Sequence, residues 1–402
     1  MPLSSEVECH QSSTTVGFCL LPSELIQYII LNLALPEIVR LKSISKSIDS
    51  ITSDENFIRE YNMQSNLYNW LFIYKKRWSR LSVLHGFTDQ SDRWFKISIA
   101  GILNSIVSPG EDLFLLTASG NYFLFALNTS REVISVNPMN NTVRKLPPSP
   151  LGPRGTSSWR RSSMKLLCGP SGSGHFRFLF AEMHENGPIL FEYNSDTDKW
   201  GSMEARENVG DLPRGSWRGD HVIFLSAMNG RNESVILALP SQSDSPVFVR
   251  PRFDLEGNEE GQLAVGLSWG SVIDRLLVYG DGNMMIVRSD GGDDVNKRSR
   301  LLKGVELWGL SSNGRHWEFL SKVPSGVIEK IKKPYGVIVG CLEERDGKIR
   351  AVLMSNFEGI WDIIWLCYDI VWRHWTWVPI PECNMKGSNM AGISFSSGLT
   401  LS

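Results

Sequence analysis

Two textures of apolar residues follow one another along this chain. Between residues 19 and 63 the spacing is helical: Leu25, Ile29 and Leu33 recur every fourth residue with Ile26 and Ile30 beside them, giving a first helix one broad apolar face. Pro22 suits the start of that helix because it has no N–H to leave orphaned, and Glu24 sets a carboxylate against the positive end of the helix dipole. Pro36 opens a second helix after Leu35, and Ile38, Val39, Leu41 and Ile44 continue the apolar pattern. Ser45 to Thr52 reads as a third short helix, and Ser53 or Asp54 is placed to cap a fourth through Phe57 and Ile58. Helices confined to about forty residues bury little on their own. The excess apolar surface is therefore expected to be covered, by the rest of the chain or by a partner protein.

Beyond Leu67 the pattern changes. Asp112–Leu116, Tyr122–Leu127, Phe176–Ala181, Val222–Leu225, Arg275–Tyr279 and Gly336–Gly340 are short apolar or β-branched runs, separated by Gly, Asn, Asp and Ser. Many short strands without a long helical period predict an all-β sandwich, barrel or propeller. A repeated phrase chooses among them. It ends at Trp94, Trp200, Trp317 and Trp375, as in Tyr193-Asn194-Ser195-Asp196-Thr197-Asp198-Lys199-Trp200 and Tyr368-Asp369-Ile370-Val371-Trp372-Arg373-His374-Trp375, with a weaker copy at Asn137-Pro138. The copies lie about fifty to sixty residues apart, with one double-length gap between Trp200 and Trp317, which is the spacing of propeller blades.

Each copy reads as a strand, a polar turn and a second strand beginning near Trp. A four-stranded blade cannot bury its two faces alone, so blades stack radially and the indoles fill the wedges between them, a use that suits fourteen tryptophans. The expected architecture is a small all-α module at 19–63 followed by an all-β propeller of six or seven blades at 67–402. Residues 1–18, rich in Ser and Thr, are expected to form a disordered leader. Ala391–Leu401, with Ile393 and Phe395, is expected to supply the strand that closes the ring against the first blade.

Composition narrows the function. Forty-one basic and 43 acidic side chains leave a formal charge of -2, so no global basic field recruits nucleic acid. No apolar run approaches a membrane span, and no positive charge precedes an apolar run at the N-terminus. Six cysteines stand far apart in sequence, which predicts free thiols in a reducing compartment. The seven histidines have no metal-ligand spacing, and no cofactor is expected.

Several stretches invite chemistry and are weighed against plainer uses. Gly266-Leu267-Ser268-Trp269-Gly270 matches a serine-hydrolase elbow, with Asp281 and His316 following in triad order, but that elbow requires a strand-to-helix turn in an α/β fold and the surroundings are β-rich. Gly169–His175 has the glycines of a phosphate loop without its Lys-Ser/Thr ending. Glu343-Glu344-Arg345-Asp346 reads as a solvated hairpin tip. Arg154, Arg160, Arg161 and Lys165 around Trp159, and Trp217 between Arg214 and Arg218, are candidates for holding an acidic or phosphorylated protein substrate, since guanidinium groups grip such anions bidentately.

Residues 21–57 resemble an F-box, the adaptor-docking motif of ubiquitin-ligase substrate receptors. Leu21, Pro22, Glu24, Leu25, Ile26, Ile29, Ile30 and Leu33 carry the likeness in its first half, and Ile38, Val39, Arg40, Leu41, Lys42, Ile44, Lys46, Ile51 and Phe57 in its second. Ile48 stands where tryptophan is usual, and Ala34 where proline is frequent. The remainder resembles, more loosely, the kelch-type propeller of F-box kelch proteins, which are numerous in plants, although the Gly-Gly doublet of standard kelch blades is missing from most copies. The resemblance implies a non-catalytic receptor, in the nucleus or cytoplasm, that binds a Skp-type adaptor and through it a cullin. It also implies the adaptor contacts: Leu21, Pro22, Leu25, Ile26, Ile29, Ile30, Leu33, Ile38 and Leu41. The alternatives are a propeller scaffold with a diverged F-box and, more remotely, a hydrolase using Ser268.

Overall fold

The computed structural model describes residues 21–65, 68–75, 82–108, 111–128, 130, 132–152, 157–169, 173–208, 210, 212, 222–228, 234–240, 245–253, 263–265, 275–290, 300–381 and 390–401. Four helices open the described chain: α1 (Ser23–Leu31), α2 (Leu35–Lys42), α3 (Lys46–Thr52) and α4 (Glu55–Ser65). Their starts are set locally. The Pro22 carbonyl accepts from Leu25 and Ile26 N–H at 3.1 Å each, and the Glu37 carboxylate reaches back to Ala34 N–H at 3.1 Å. Ser45 caps α3, and Asp54 rather than Ser53 caps α4, accepting from Asn56 and Phe57 N–H.

Six sheets follow and form a six-bladed ring. Blade 1 contains β1 (Asn69–Lys75), β2 (Val83–Thr88) and β3 (Phe95–Ser98), and the short helix α5 (Ala100–Leu103) leads out of it. Blade 2 is β4 (Leu113–Ser119), β5 (Tyr122–Leu127), β6 (Val133–Asn137) and β7 (Thr142–Lys145); blade 3 is β8 (Met164–Cys168), β9 (Phe176–His184), β10 (Gly187–Asn194) and β11 (Lys199–Glu204). Blade 4 assembles β12 (Arg206–Glu207), β13 (Val222–Met228), β14 (Ser234–Pro240) and β15 (Val247–Val249). Blade 5 comprises β16 (Leu263–Val265), β17 (Arg275–Gly280), β18 (Asn283–Asp290), β19 (Arg300–Leu310) and β20 (Trp317–Lys322). Helix α6 (Ser325–Ile331) and β21 (Pro334–Tyr335) lead to blade 6, which holds β22 (Val337–Arg345), β23 (Lys348–Phe357), β24 (Ile360–Asp369) and β25 (His374–Val378).

The ring closes through β26 (Met390–Ser397), which pairs antiparallel with β1 as the inner strand of blade 1, with Phe395 opposite Leu71. This is the strand expected from Ile393 and Phe395.

The repeated phrase is the hairpin between the third and fourth strands of a blade, and its side chains explain the turn. Asn137 accepts from Met139 N–H, Asn194 from Asp196 N–H, and Asp369 from Val371 and Trp372 N–H, so an Asx turn begins these three copies. Asn141, Asp198 and Arg373 end those turns with φ of 54°, 55° and 50°. The indoles then bridge blades. Trp200 donates to the Pro147 carbonyl of the preceding blade at 3.1 Å, Trp375 to Ser321 Oγ at 2.9 Å, and Trp94 to the Pro381 carbonyl at 2.9 Å.

Blade 4 departs from the pattern and accounts for the double-length gap. Its outer strand is β12, which comes from the chain leaving blade 3 and pairs parallel with β15, so no tight Trp hairpin is made there.

The core lies in the wedges between blades. Phe178 and Phe180 face blade 2, while the intervening Leu179 and Ala181 face blade 4. Successive side chains on a strand point to opposite faces, so an inner blade strand covered on both sides reads as an unbroken apolar run.

Candidate functional site

Helix α1 divides its apolar residues between two directions. Ile26 and Ile30 are buried with Leu35, Ile38, Ile48, Phe57 and Tyr61, and this core continues into Trp70 and Phe72 of blade 1 and Phe123 and Phe125 of blade 2. Leu25, Tyr28 and Ile29, spaced i, i+3 and i+4, lie on the other side and are 51%, 68% and 40% exposed. Pro22 beside them is exposed, and Leu21, Leu33 and Leu41 are half-buried against the core. The nine residues expected at an adaptor contact thus fall into an inward set, Ile26, Ile30 and Ile38, and a set reachable from outside. Tyr28 completes the outer face and was not among them. Its spacing from Leu25 was the available signal, and its hydroxyl disguised it as polar.

The module is held firmly to the ring. Asn62 Nδ2 donates to the Leu401 carbonyl at 3.0 Å while Leu401 N–H donates back to Asn62 Oδ1 at 2.7 Å. Asn121 and Thr400 make a second reciprocal pair, at 2.8 and 2.9 Å. Glu37 of α2 pairs with Arg93, just ahead of β3, and within the module the Tyr61 hydroxyl ties α4 to the Leu33 carbonyl at 3.1 Å. The outer face of α1 therefore sits on a rigid base.

The ring has its own uneven surface. Among the described residues, its exposed large apolar side chains are Leu301, Phe319, Leu320, Ile360, Val371, Trp372 and Trp377, all on blades 5 and 6. The basic cluster is placed differently. The Trp159 indole donates to the Gly152 carbonyl at 2.8 Å and packs edge-on against Phe114. The Arg161 guanidinium donates to the Leu115 and Leu116 carbonyls, and burial lowers its pKa to about 10. Arg160 is half-buried, and burial lowers its pKa too. Arg154, Trp217 and Ser268 lie outside the described residues.

Inner strands from five blades converge on an axial cavity of about 520 Å³. Lys165 of β8 reaches Asp281, in the β17–β18 turn, with Nζ to Oδ1 and Oδ2 at 2.7 and 2.9 Å. Asp281 Oδ2 also accepts Glu344 N–H at 3.0 Å, and Asn283 Nδ2 donates to Glu344 Oε2 at 2.6 Å, so blades 3, 5 and 6 are joined at the axis. Burial works against the Lys165 ammonium, but the carboxylates of Asp281, Glu343 and Glu344 outweigh it and raise its pKa. Burial pushes Glu343 up as well.

Here the structure corrects the reading of Glu343 as a solvated carboxylate, while Glu344 and Asp346 are exposed at the β22–β23 hairpin as expected. Strand β22 is the inner strand of blade 6, so its end meets the axis and Glu343 lines the cavity. Burial pushes the Cys341 thiol up to about 12 and the Cys168 thiol up to about 11, so the cavity offers charge and hydrogen bonds rather than a nucleophilic thiolate. Nothing described supports the hydrolase reading: Asp281 is engaged by Lys165, and among the described residues the blades show no strand–helix alternation of the kind a nucleophile elbow requires, Gly266 to Gly270 lying outside them. Among the described residues no group of three His, Cys, Asp or Glu is arranged to hold a metal ion, and no helix is long and apolar enough to cross a membrane.

No family model matches the chain, and no curated protein does. Among solved structures, the nidogen/laminin complex contains a chain 7% identical, with a TM-score of 0.40, over 83% of this chain and 99% of that one. AztD from Citrobacter koseri is 10% identical with a TM-score of 0.31, over 82% of this chain and 97% of that one, and its apo form gives the same identity and score over 83% and 100%.

Proposed function

We propose that this protein is the substrate receptor of an SCF-type cullin ubiquitin ligase: its helical module docks a Skp-type adaptor and its propeller holds a protein substrate. The observation that carries this reading is the split of α1, in which Ile26 and Ile30 anchor the helix while Leu25, Tyr28 and Ile29 present an uncovered apolar face. An apolar face on a rigid base is what a helix-in-groove or helix-on-helix partner buries. The likeness of residues 21–57 to an F-box supplies the identity of that partner. Adaptor contact falls on Pro22, Leu25, Tyr28 and Ile29, and the exposed apolar residues of blades 5 and 6 receive the substrate. Ubiquitin transfer then proceeds by proximity, for which a closed ring fixed to its docking helices gives the necessary rigidity.

Co-purification of the full chain with a Skp-type adaptor tests the reading. Replacing Pro22 and Leu25 together by Ala is expected to abolish the complex while leaving the ring folded by circular dichroism. An adaptor that binds the double variant as it binds the original chain overturns the assignment.

A further inference from the structure

The axial cavity lies apart from helix α1 and from the exposed apolar residues of blades 5 and 6. Its wall bears charges of both signs, Arg161, Lys165 and Arg345 against Glu343 and Glu344, with apolar surface from Leu116, Leu166 and Phe395 between them. Most of these charges are already engaged. Lys165 is neutralised by Asp281, the Arg161 guanidinium is spent on two carbonyls, and Glu344 accepts from Asn283. Two groups remain with unused capacity. Glu343 Oε2 and Arg345 Nη1 are shielded from solvent and have no hydrogen-bond partner, the Arg345 guanidinium being paired with Asp346 only through Nε, at 3.2 Å. They stand two residues apart on β22, hence on the same side of the strand, and they are opposite in sign.

Leaving such atoms unpaired away from water is unfavourable, and a ligand that supplies both partners removes the penalty. A simple anion answers only the arginine and a simple cation only the glutamate. The volume falls within the range of small-molecule sites, and the exposed Glu344 marks where the cavity meets solvent. We propose that the axial cavity binds a small zwitterion of the amino-acid or dipeptide kind, its carboxylate on Arg345, its ammonium on Glu343, and its apolar side chain against Leu166 and Phe395.

Isothermal titration of the full chain with L-leucine and glycyl-L-leucine tests this, set beside 4-methylpentanoate and 3-methylbutylamine, which each keep the side chain and one charge. The zwitterions are expected to bind at least about tenfold more tightly than either analogue, the effect of one charged hydrogen bond. Arg345→Gln is expected to erase the advantage over the amine, and Glu343→Gln the advantage over the carboxylate. Absence of saturable binding at millimolar concentration overturns the proposal, as does equal binding of all four probes, since ordered water then satisfies the two atoms. The analogue comparison uses the unmodified chain and decides the matter independently of how the variants fold. Loss of adaptor binding, by contrast, bears only on the ligase reading.

Discussion

Helix α1 and strand β9 are both rich in large apolar side chains, and they dispose of them in opposite ways. In β9, Phe178, Leu179, Phe180 and Ala181 are all fully buried, because a strand inside a blade has a neighbouring blade on each side. In α1 only Ile26 and Ile30 are buried, because one side of the helix packs on α2 to α4 and the other has no neighbour among the described residues. Composition alone does not distinguish these cases. The number of covering surfaces does, and the deficit on α1 is the face that the proposed adaptor is expected to bury.

The largest expected effect tests the sealed half of this contrast. Trp375→Ala removes a buried indole, its tilted ring contact with Tyr368 and its bond to Ser321, and should lower unfolding stability in denaturant by about 3–5 kcal/mol. Within α1 the contrast becomes a matched pair. Ile30→Ala opens a cavity and should lose about 2–5 kcal/mol, whereas Leu25→Ala, at an exposed site, should stay within about 0.5 kcal/mol while weakening adaptor binding. Equal destabilisation by the two would break the comparison. Asn62→Ala, read by the same denaturant titration, should lose about 1–3 kcal/mol, because it leaves Leu401 N–H and C=O without their partner.

The smallest effect lies at the axis. Glu343 is pushed above its ordinary carboxylate range by burial, so the folded state holds its proton more tightly than the unfolded chain does. That contribution is fully present below the unfolded pKa and is lost as pH rises through the raised folded value. Glu343→Gln should therefore flatten the decline of the urea midpoint over that interval. An unchanged pH profile would show that Glu343 titrates as if solvated.

The local elements were largely readable beforehand, and the reason is chemical. Pro22, Ser45 and Asp54 announce helix starts through their own backbone or side-chain oxygens, and Asn137, Asn194 and Asp369 announce blade turns by folding back on the next two or three residues. The basic cluster was less readable. Nothing near Arg161 or Trp159 foretells that one will face the Leu115 and Leu116 carbonyls of blade 2 and the other the edge of Phe114. Tyr28 was not legible because its exposure depends on which side of α1 meets α2 to α4.

The order of residues was enough to specify helical and strand periods, the Trp-ended hairpins and the closing strand, since each depends on neighbours within a turn or two or on a repeat visible in one dimension. Blade number, the parallel outer strand of blade 4, the outward face of α1 and the charged axial cavity were decided only by assembly. Those features rest on contacts such as Lys165 with Asp281, 116 residues apart, and Asn62 with Leu401, 339 apart, which exist once the ring has closed and brought its inner strands to a common axis.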